Sequence, residues 1–332
     1  MAERENPQGI NGMKVTVGTF NLNNLFSRFN FSASISTLAK KDAAVSVRYQ
    51  FTDNDNYRVR TFKGRLVKAK KDKDTKAIAD RIMSMDVDVL AVQEVENIDI
   101  LKEFNRKHLG NLYPYRVLIE GNDPRLIDVG VLSKLPIGAV TSFQTAVHPE
   151  ASGTRVFGRD LLEVEIQSQD RSKTLFTLYN THLKSHFGDD EDNGKVKNDT
   201  RRRQQAESIQ KIVADRMRTN SRYMIVGDMN DGPDDAPLSA LKTIEGNDLV
   251  NALENPIETR PAKEEKTGPG PQKTAWTHRF KKSGQPPEHR LFDQIWLSPK
   301  LAEGVGQSFI DRRTKHGGNG SDHDPAWVTL DT

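Results

Sequence analysis

Acidic, amide and imidazole side chains recur at the ends of predicted strands in this sequence, beginning with residues 225–231 (IVGDMND). Asp228 and Asn230 are two residues apart after an apolar strand, so their side chains point to the same side of an extended chain. Carboxylate and amide oxygens are the ligands that a hard divalent cation prefers. An Asx-rich turn is the commoner structure for such a stretch, and the stretch alone favours it. The prediction of chemistry therefore depends on partners elsewhere in the chain.

Two further strand ends carry oxygen ligands. Asn21 follows the first predicted strand, 15–20, and Glu94 closes an almost continuously apolar strand at 87–93. A carboxylate at the end of a buried strand loses hydration unless something pairs with it, and a metal ion is an economical partner. An Asn-rich turn at Asn21 and a surface glutamate at Glu94 are the structural alternatives.

A histidine and a lysine occupy positions suited to phosphoryl chemistry. His182 and Lys184 follow a predicted strand at 175–179 and lie on one side of an extended segment. An imidazole can donate a proton to a phosphoryl group while an ammonium offsets its charge. A lone histidine is more often structural, so this pair also needs support from the rest of the chain.

An adjacent acid–histidine pair, Asp322 and His323, precedes the last predicted strand at 326–330. The imidazole of such an acid/base unit needs an orienting carboxylate from elsewhere. Asp293, near the start of a predicted strand at 292–297, is the natural candidate.

These residues must be positioned by a framework of strands and amphipathic helices. The spacing of apolar residues predicts helices near 77–85 and 98–108. It predicts a third helix that follows a solvated acidic loop at 187–200 and opens with three arginines at 201–203. Arginines at a helix start oppose the helix dipole, so anion binding would explain them; a crowded but solvated helix start is the alternative.

A long irregular stretch at about 27–75 follows the first strand. Between Arg58 and Lys76 the chain holds nine Lys or Arg residues against two Asp, with three aromatic residues near or among them. Basic groups interleaved with aromatic rings suit a nucleic-acid backbone and its bases. A charged flap that faces water is an equally good interpretation.

Composition limits the class of protein. The 332 residues are 35% hydrophobic and 29% charged with a net charge of only +3, so an anionic partner must be recognised by local patches. The absence of cysteine excludes disulfides and thiolate metal sites. No apolar run approaches the about 18 residues of a membrane span. We expect a cytoplasmic monomer, or a secreted one if a signal peptide was removed. We also expect a flexible arm at 1–13 and one domain at 14–332 that carries the basic insertion at about 27–75.

Six short motifs in order along the chain identify a resemblance. They are FNLNN, LAVQEVE, NTHLKS, GDMND, LFDQIW and SDHDPAW. Together they resemble the endonuclease/exonuclease/phosphatase superfamily, which includes deoxyribonuclease I, abasic-site endonucleases, sphingomyelinases and inositol-polyphosphate 5-phosphatases. The resemblance implies an α/β (α+β) fold: a four-layer sandwich of two packed mixed β-sheets flanked by helices, with the site at one edge.

The resemblance also implies a metal site. Glu94 would be the principal ligand of Mg²⁺ or Mn²⁺, Asn21 would steady the metal and the phosphate, and Asp322 would be a second carboxylate on the metal side. Ca²⁺ as a structural ion is an alternative.

The remaining roles follow from the same motifs. His182 would contact the phosphate or protonate the leaving oxygen, and Asp228 and Asn230 would hold the attacking water and the phosphate. Asp293 would orient His323. Whether Asp228 or His323 takes the proton of the water is left open by the motifs. A single in-line hydrolytic step is implied, with a metal ion offsetting charge on the phosphate oxygens.

The favoured function is hydrolysis of nucleic-acid phosphodiester bonds, with DNA preferred to RNA. His182 stands where abasic-site endonucleases have tyrosine, which favours the deoxyribonuclease I and phosphatase branches. The alternative is hydrolysis of a small-molecule or lipid phosphoester such as an inositol phosphate, in which Arg159 and Lys184 would bind a terminal phosphate. A binding protein without catalysis is disfavoured because all the expected site residues are present.

Overall fold

Two mixed β-sheets pack face to face in the computed structural model, which describes residues 12–26, 70–259, 275–280, 284, 286–312 and 320–332. Within these residues the first sheet contains, in spatial order, Ile257–Glu258 (β12), Val305–Ile310 (β16), Ala326–Asp331 (β17), Lys14–Leu25 (β1), Val89–Val95 (β2), Asp128–Ser133 (β4) and Tyr115–Leu118 (β3). β1 runs parallel to β2 and antiparallel to β17, which makes the sheet mixed.

The second sheet also mixes parallel and antiparallel pairs. Over the described residues its order is Val250–Asn251 (β11), Asp293–Leu297 (β15), Tyr223–Asp228 (β8), Thr174–His182 (β7), Leu161–Gln167 (β6) and Ile137–Ser142 (β5). β7 and β8 are parallel, whereas β8 and β15 are antiparallel. Two short hairpins join Thr243–Ile244 (β9) to Asn247–Asp248 (β10) and His278–Phe280 (β13) to Glu288–Arg290 (β14).

The inner core lies between the two sheets. Alternate residues of each strand face it, as the period of a β-strand requires, and they are almost all aliphatic. Val15 and Val17 of β1 belong to the same apolar cluster as Leu162 and Val164 of β6, and all four are fully buried. Burying an aliphatic side chain of this size contributes about 1.5–3 kcal/mol, so this layer is the main apolar source of stability.

Helices cover the two outer faces. In the described residues they are Asp72–Met85 (α1), Ile98–His108 (α2) and Gly194–Arg216 (α3), with 3₁₀ turns at Pro149–Ala151 and Ala236–Leu241. A fourth, one-turn helix, Pro299–Ala302 (α4), follows β15 and contributes Leu301 to the inner core. α1 and α2 pack Ile82 and Leu101 on the first sheet, and α3 packs Ile209 and Val213 on the second. The predicted four-layer sandwich of two mixed sheets flanked by helices is confirmed, as are the helices predicted near 77–85 and 98–108.

The prediction for the start of α3 is wrong. The helix begins at Gly194, two turns before Arg201, and includes part of the segment predicted as a solvated loop. Asn193, in left-handed conformation (φ 54°), directly precedes the helix. The Lys195–Asp199 pair at 2.7 Å, four residues apart, stabilises its first turns. The arginines therefore lie inside the helix, where the dipole argument for anion binding has little force.

Two predicted segments lie largely outside the described residues. The predicted arm at 1–13 is described only from Gly12, and there Met13 exchanges backbone hydrogen bonds with Thr332 at 3.1 and 2.9 Å. The predicted insertion at about 27–75 is described only from Lys70, and α1 already begins at Asp72. In the part of the chain that the structure describes, no helix has the length and apolar character needed to cross a membrane.

A buried acidic pair lies where β4 approaches β6. Asp128 is 1% exposed, and its Oδ1 accepts the Gly121 N–H at 2.8 Å while its Oδ2 has no hydrogen-bond partner among the described residues. Burial raises the pKa of Asp128 to about 7. Burial likewise raises the pKa of Asp160 to about 6. Both carboxyl groups therefore hold a proton in the folded protein under conditions in which they would be ionised in the unfolded chain.

Replacing Asp128 with Asn should reduce the loss of stability on the alkaline side. An acid whose pKa is raised by folding binds its proton more tightly in the native state, so stability falls as pH rises from about 4 to about 7. Between pH 5 and pH 8 the ionisation of Asp128 should lower the free energy of unfolding by about 2–3 kcal/mol. Asp128→Asn should not show this decrease. Urea unfolding of both proteins at the two pH values measures it, and an equal pH dependence would contradict the prediction.

Candidate active site

The register of three neighbouring strands brings three predicted site residues together. Asp228 on β8 stands opposite His182 on β7 and opposite Asp293 on β15. Residues in register on adjacent strands share one face of a sheet and lie about 5 Å apart. Gly227 has φ 134°, and a Cβ there would stand 2.0 Å from the carbonyl oxygen of Thr181, so only glycine allows β7 and β8 to approach in this way.

His323 faces this row of side chains. Its Nδ1 lies 2.7 Å from Oδ2 of Asp293, and its Nε2 lies 3.7 Å from Oδ2 of Asp228. Burial disfavours its cation, but the carboxylates of Asp293 and Asp228 raise the pKa of His323 well above its usual value. The predicted pairing of Asp293 with His323 is therefore present in the geometry, and it directs Nε2 toward Asp228.

The loop that carries His323 is fixed from two sides. Ser321 Oγ donates to the carbonyl of Asn21 at 2.7 Å and accepts the His323 N–H at 3.0 Å. From α1, the buried guanidinium of Arg81 donates to the His323 carbonyl at 3.3 Å and pairs with Asp324 at 3.2 Å. The position of the imidazole thus depends on α1, the helix that packs on the first sheet.

Asp228 is the centre of the hydrogen-bond network. Its Oδ2 accepts from Nδ2 of Asn21 at 2.8 Å, and its Oδ1 accepts the backbone N–H of Asn230 at 2.9 Å. Nε2 of His182 lies 3.4 Å from the same Oδ2. Burial raises the pKa of Asp228. Asn230 itself has φ 54° and donates its amide to the Leu183 carbonyl at 3.1 Å, which turns the chain back toward the site.

His182 is held as a neutral imidazole. Burial, and then the charge of Arg159, lower the pKa of His182 well below its usual value. The ring is 2% exposed, and its Nδ1 has no hydrogen-bond partner among the residues described. A neutral imidazole can contact a phosphate oxygen by a hydrogen bond, but it is a poor source of a proton at neutral pH.

Glu94 enters the site from the first sheet. Its backbone is left-handed (φ 60°), the pairing of β2 with both neighbours is irregular around it, and its Oε2 accepts the Asn24 N–H at 2.9 Å. Burial, and next the charge of Asp322, raise the pKa of Glu94. Asp322 is oriented by Asn23, whose Nδ2 donates to its Oδ1 at 2.8 Å. Two carboxylates thus repel one another in a space shared with Asp228.

These residues fit a hard divalent cation. Glu94 and Asp322 supply carboxylate oxygens whose mutual repulsion a cation would offset, and oxygen ligands are those that Mg²⁺ and Mn²⁺ take. Asn21 is engaged differently from the prediction of a metal ligand: its Nδ2 holds Asp228 and its Oδ1 accepts the Asn23 N–H at 2.9 Å. Its part as a ligand stays a prediction, one that would use the second lone pair of Oδ1.

The two predicted phosphate-binding cations differ in their surroundings. Arg159 is buried, donates to the Leu183 carbonyl at 2.8 Å and lies 3.0 Å from Asp123, and its charge acts on Glu94. The ammonium of Lys184 instead donates to backbone carbonyls of residues 185 and 187 at 2.8 and 3.1 Å. Burial lowers the pKa of Lys184 to about 8. Arg159 thus adds a fixed positive charge to the site, and Lys184 ties a loop beside it.

The sequence analysis missed His278 and did not single out Lys70 within the basic segment 58–76. His278 lies 3.8 Å from Asp322 through its Nε2, and its ring centroid is 4.8 Å from that of His323. Lys70 donates to the Asn23 carbonyl, and its charge acts on Glu94 and Asp322. Neither residue stands in one of the six motifs. His278 is brought to the site by the isolated backbone bridge that it forms with His323.

A sandwich of two mixed sheets with a carboxylate and histidine cluster at one shared edge is the fold of the deoxyribonuclease I-like phosphoesterases. The model of the endonuclease/exonuclease/phosphatase family matches residues 18–323. The chain therefore belongs to this family, whose members are phosphoester hydrolases. No curated protein sequence matches it significantly.

Solved structures agree with this fold. An endonuclease/exonuclease/phosphatase from Bacteroides vulgatus is 14% identical with a TM-score of 0.58, covering 96% of this chain and 98% of that chain. Truncated TDP2 from Caenorhabditis elegans is 17% identical with a TM-score of 0.53 and the same coverage. A mannosyl-6-phosphatase from Bacteroides thetaiotaomicron is 16% identical with a TM-score of 0.52, covering 95% of this chain and 98% of that chain. Identities this low establish the fold alone.

Replacing Asp293 with Asn should lower the pKa of His323, because the neighbouring carboxylate that favours the imidazolium is lost. Two-dimensional ¹H–¹⁵N spectra of the histidine side chains, recorded against pH on metal-free protein, measure this. Asp189→Asn is the matched control, since Asp189 pairs with His186 at 2.7 Å and should leave His323 unchanged. An unaltered titration of His323 in Asp293→Asn would refute the assigned pairing.

Proposed function

We propose that this protein is a metal-dependent phosphodiesterase that cleaves nucleic acid, with DNA preferred to RNA. The observation that carries the proposal is the convergence of Glu94 and Asp322 with the Asp228, Asp293 and His323 cluster at one edge of the sandwich. Carboxylates from both sheets and a carboxylate-bound imidazole in one space are what hydrolysis of a phosphoester requires.

The residues divide into two groups by what they would hold. Glu94 and Asp322, with Asn21, would bind Mg²⁺ or Mn²⁺. When bound, such an ion offsets the negative charge of the phosphate oxygens. On the other side, the neutral His182 and the amide of Asn230 would contact the phosphate.

Asp228 is the group best placed to accept the proton of the attacking water. It faces the imidazoles of both His182 and His323, and Asn21 fixes its orientation. His323 pairs with Asp293 and would donate a hydrogen bond from Nε2 to the developing negative charge. The water oxygen would bond to phosphorus as the ester P–O bond breaks in line with it.

A polyanionic substrate is supported by the basic segment that reaches the site. Of the nine basic residues between Arg58 and Lys76, Lys70 lies beside Glu94 and Asp322, and Lys71 and Lys73 are exposed next to it. The other basic residues before Lys70 fall outside the described residues. A nucleic-acid backbone passing over this segment would enter the site from the α1 side.

A small phosphoester substrate is the second candidate, and two observations favour it. The arginines of residues 201–203 make internal contacts: Arg202 is buried against Asp231 at 2.6 Å, and Arg203 pairs with Glu207 at 2.8 Å. Arg202 is therefore not available to a nucleic acid, and the charge of Arg203 is offset by its acidic partner. Arg159 could bind a terminal phosphate, and the similar fold of a mannosyl-6-phosphatase keeps this class open.

Replacing Glu94 with Gln should lower metal-dependent turnover by at least about 100-fold, because loss of groups behind a metal ligand alone costs about 10–100-fold. The side chain is partly exposed, so the fold should persist, and the midpoint of thermal unfolding checks this. The matched control is Glu165→Gln, a glutamate of similar exposure whose contact is with the Ala139 N–H. Hydrolysis that persists in Glu94→Gln and in the presence of EDTA would contradict a metal-dependent mechanism.

Salt should separate the two substrate classes. The logarithm of the binding constant falls by about 0.9 per phosphate contact for each unit increase in the logarithm of the salt concentration. Two contacts therefore already give about a tenfold loss of affinity between 50 and 200 mM salt. We expect that loss in kcat/KM on plasmid DNA, a smaller one on RNA, and little change with bis-p-nitrophenyl phosphate or p-nitrophenyl phosphate. A preference for the monoester, or DNA cleavage indifferent to salt, would favour the phosphatase.

Charge reversal tests the path of the substrate. The double variant Lys71→Glu/Lys73→Glu should weaken DNA cleavage and flatten its dependence on salt, while activity on the small diester stays the same, since both side chains are exposed. Lys211→Glu on α3, where the lysine pairs only loosely with Asp215 at 3.5 Å, is the control. Equal effects of the two variants on DNA would rule out this path.

A further inference from the structure

Three side chains with nitrogen and oxygen donors meet beside the proposed oxygen-rich metal site. Each of His278, Asp322 and His323 offers one ligand atom, and the three atoms lie within 4.8 Å of one another. Of these atoms, Nε2 of His278 and Oδ2 of Asp322 are 3.8 Å apart. Donors bound to one ion at about 2.1 Å lie about 3.0–3.4 Å apart, so closure around an ion would take shifts of about 1 Å.

His323 is prepared for such a role by its other nitrogen. Its Nδ1 is engaged by Asp293 at 2.7 Å, which leaves Nε2 as the atom that faces the site. Metal-binding histidines usually have their second ring nitrogen on a carboxylate, because this fixes the ring and makes the ligating nitrogen more basic.

The other two donors are held independently. Asn23 binds Oδ1 of Asp322 at 2.8 Å, which turns Oδ2 toward His278. The ring of His278 stacks on Phe292, with centroids 4.9 Å apart and planes 16° apart, and its backbone forms a bridge with that of His323. Asp322 is the most exposed of the three, with 49% of its side chain exposed, so it has room for the small shift that binding requires.

We propose that His278, Asp322 and His323 form a second cation site, which takes a transition-metal ion such as Zn²⁺. Two imidazoles and one carboxylate favour Zn²⁺ over Mg²⁺, since Mg²⁺ prefers a shell of oxygen ligands and Zn²⁺ readily binds imidazole nitrogen. The site shares Asp322 with the proposed Mg²⁺ or Mn²⁺ ligands but differs from them in its two histidines.

The consequence for activity is inhibition. An ion on Nε2 of His323 would prevent that nitrogen from donating to the phosphate. It would also place a positive charge near Asp228, whose Oδ2 lies 3.7 Å from Nε2. Zn²⁺ added to the Mg²⁺-loaded protein should therefore reduce hydrolysis. This inhibition rests on the proposed function, whereas binding of Zn²⁺ does not.

Calorimetric titration of Zn²⁺ into the whole protein in excess Mg²⁺ tests the binding. We expect one Zn²⁺ per chain for the natural sequence and at least about tenfold weaker binding for His278→Gln, which keeps an amide able to reach Asp322. His289→Gln is the matched control, because His289 belongs to the same hairpin but its ring contacts that of Trp276, with centroids 4.6 Å apart. It should bind Zn²⁺ as tightly as the unaltered chain.

Each outcome decides the proposal. Weaker Zn²⁺ binding in His278→Gln but not in His289→Gln supports it, and equal affinity in all three proteins overturns it. The midpoint of thermal unfolding without Zn²⁺ checks that the variants fold. If His278→Gln does not fold, His278→Asn takes its place in the titration. In the activity assay, the Zn²⁺ concentration for half inhibition should rise at least about tenfold in His278→Gln, measured relative to the same variant without Zn²⁺. If no substrate is hydrolysed, the proposed function fails while the calorimetric result still stands.

Discussion

The site depends first on strand register. β8 is buried along its whole length, and its pairing with β7 and β15 sets His182, Asp228 and Asp293 side by side. Because side chains alternate between the two faces of a strand, a slip of one residue in either pairing would turn one of these groups away from the others. Gly227 protects the register, since the carbonyl of Thr181 occupies the space that any larger residue would need. The geometry of the chemistry is therefore inherited from the packing of the core.

Buried arginines then connect the outer layers to this edge. Arg81 of α1 is 2% exposed and binds Asp311 and Asp324, which flank the loop of His323. Arg202 of α3 is fully buried and binds Asp231, just after the strand that carries the central carboxylate. Removing one partner of such a pair leaves an uncompensated buried charge and costs about 3–5 kcal/mol. Helices that contribute no catalytic group thus control where the catalytic groups lie.

Sequence patterns predict most of this architecture wherever the determining residues are neighbours in the chain. A polar residue at the end of an apolar strand is visible in the sequence, so Asp228 and the pairing of Asp293 with His323 could be predicted, and the sandwich followed from the order of the motifs. The start of α3 at Gly194 could not, because left-handed Asn193 begins the helix without a side-chain cap that a sequence pattern would show. His278 reaches the site only through a contact between segments far apart in the chain, for which no periodic pattern exists.

Four residues at this edge of the sandwich have left-handed backbone. Asn23, Asn24, Glu94 and Asn230 all have φ between 46° and 60°, a conformation that is unfavourable above all for the glutamate. Strain of this kind costs about 1–3 kcal/mol at a residue and persists because neighbouring structure enforces it. Selection for thermal stability alone would consequently favour glycine or asparagine at position 94. Such selection would remove a carboxylate from the site before it changed the core. Thermal stability and turnover would therefore evolve in opposite directions in this chain.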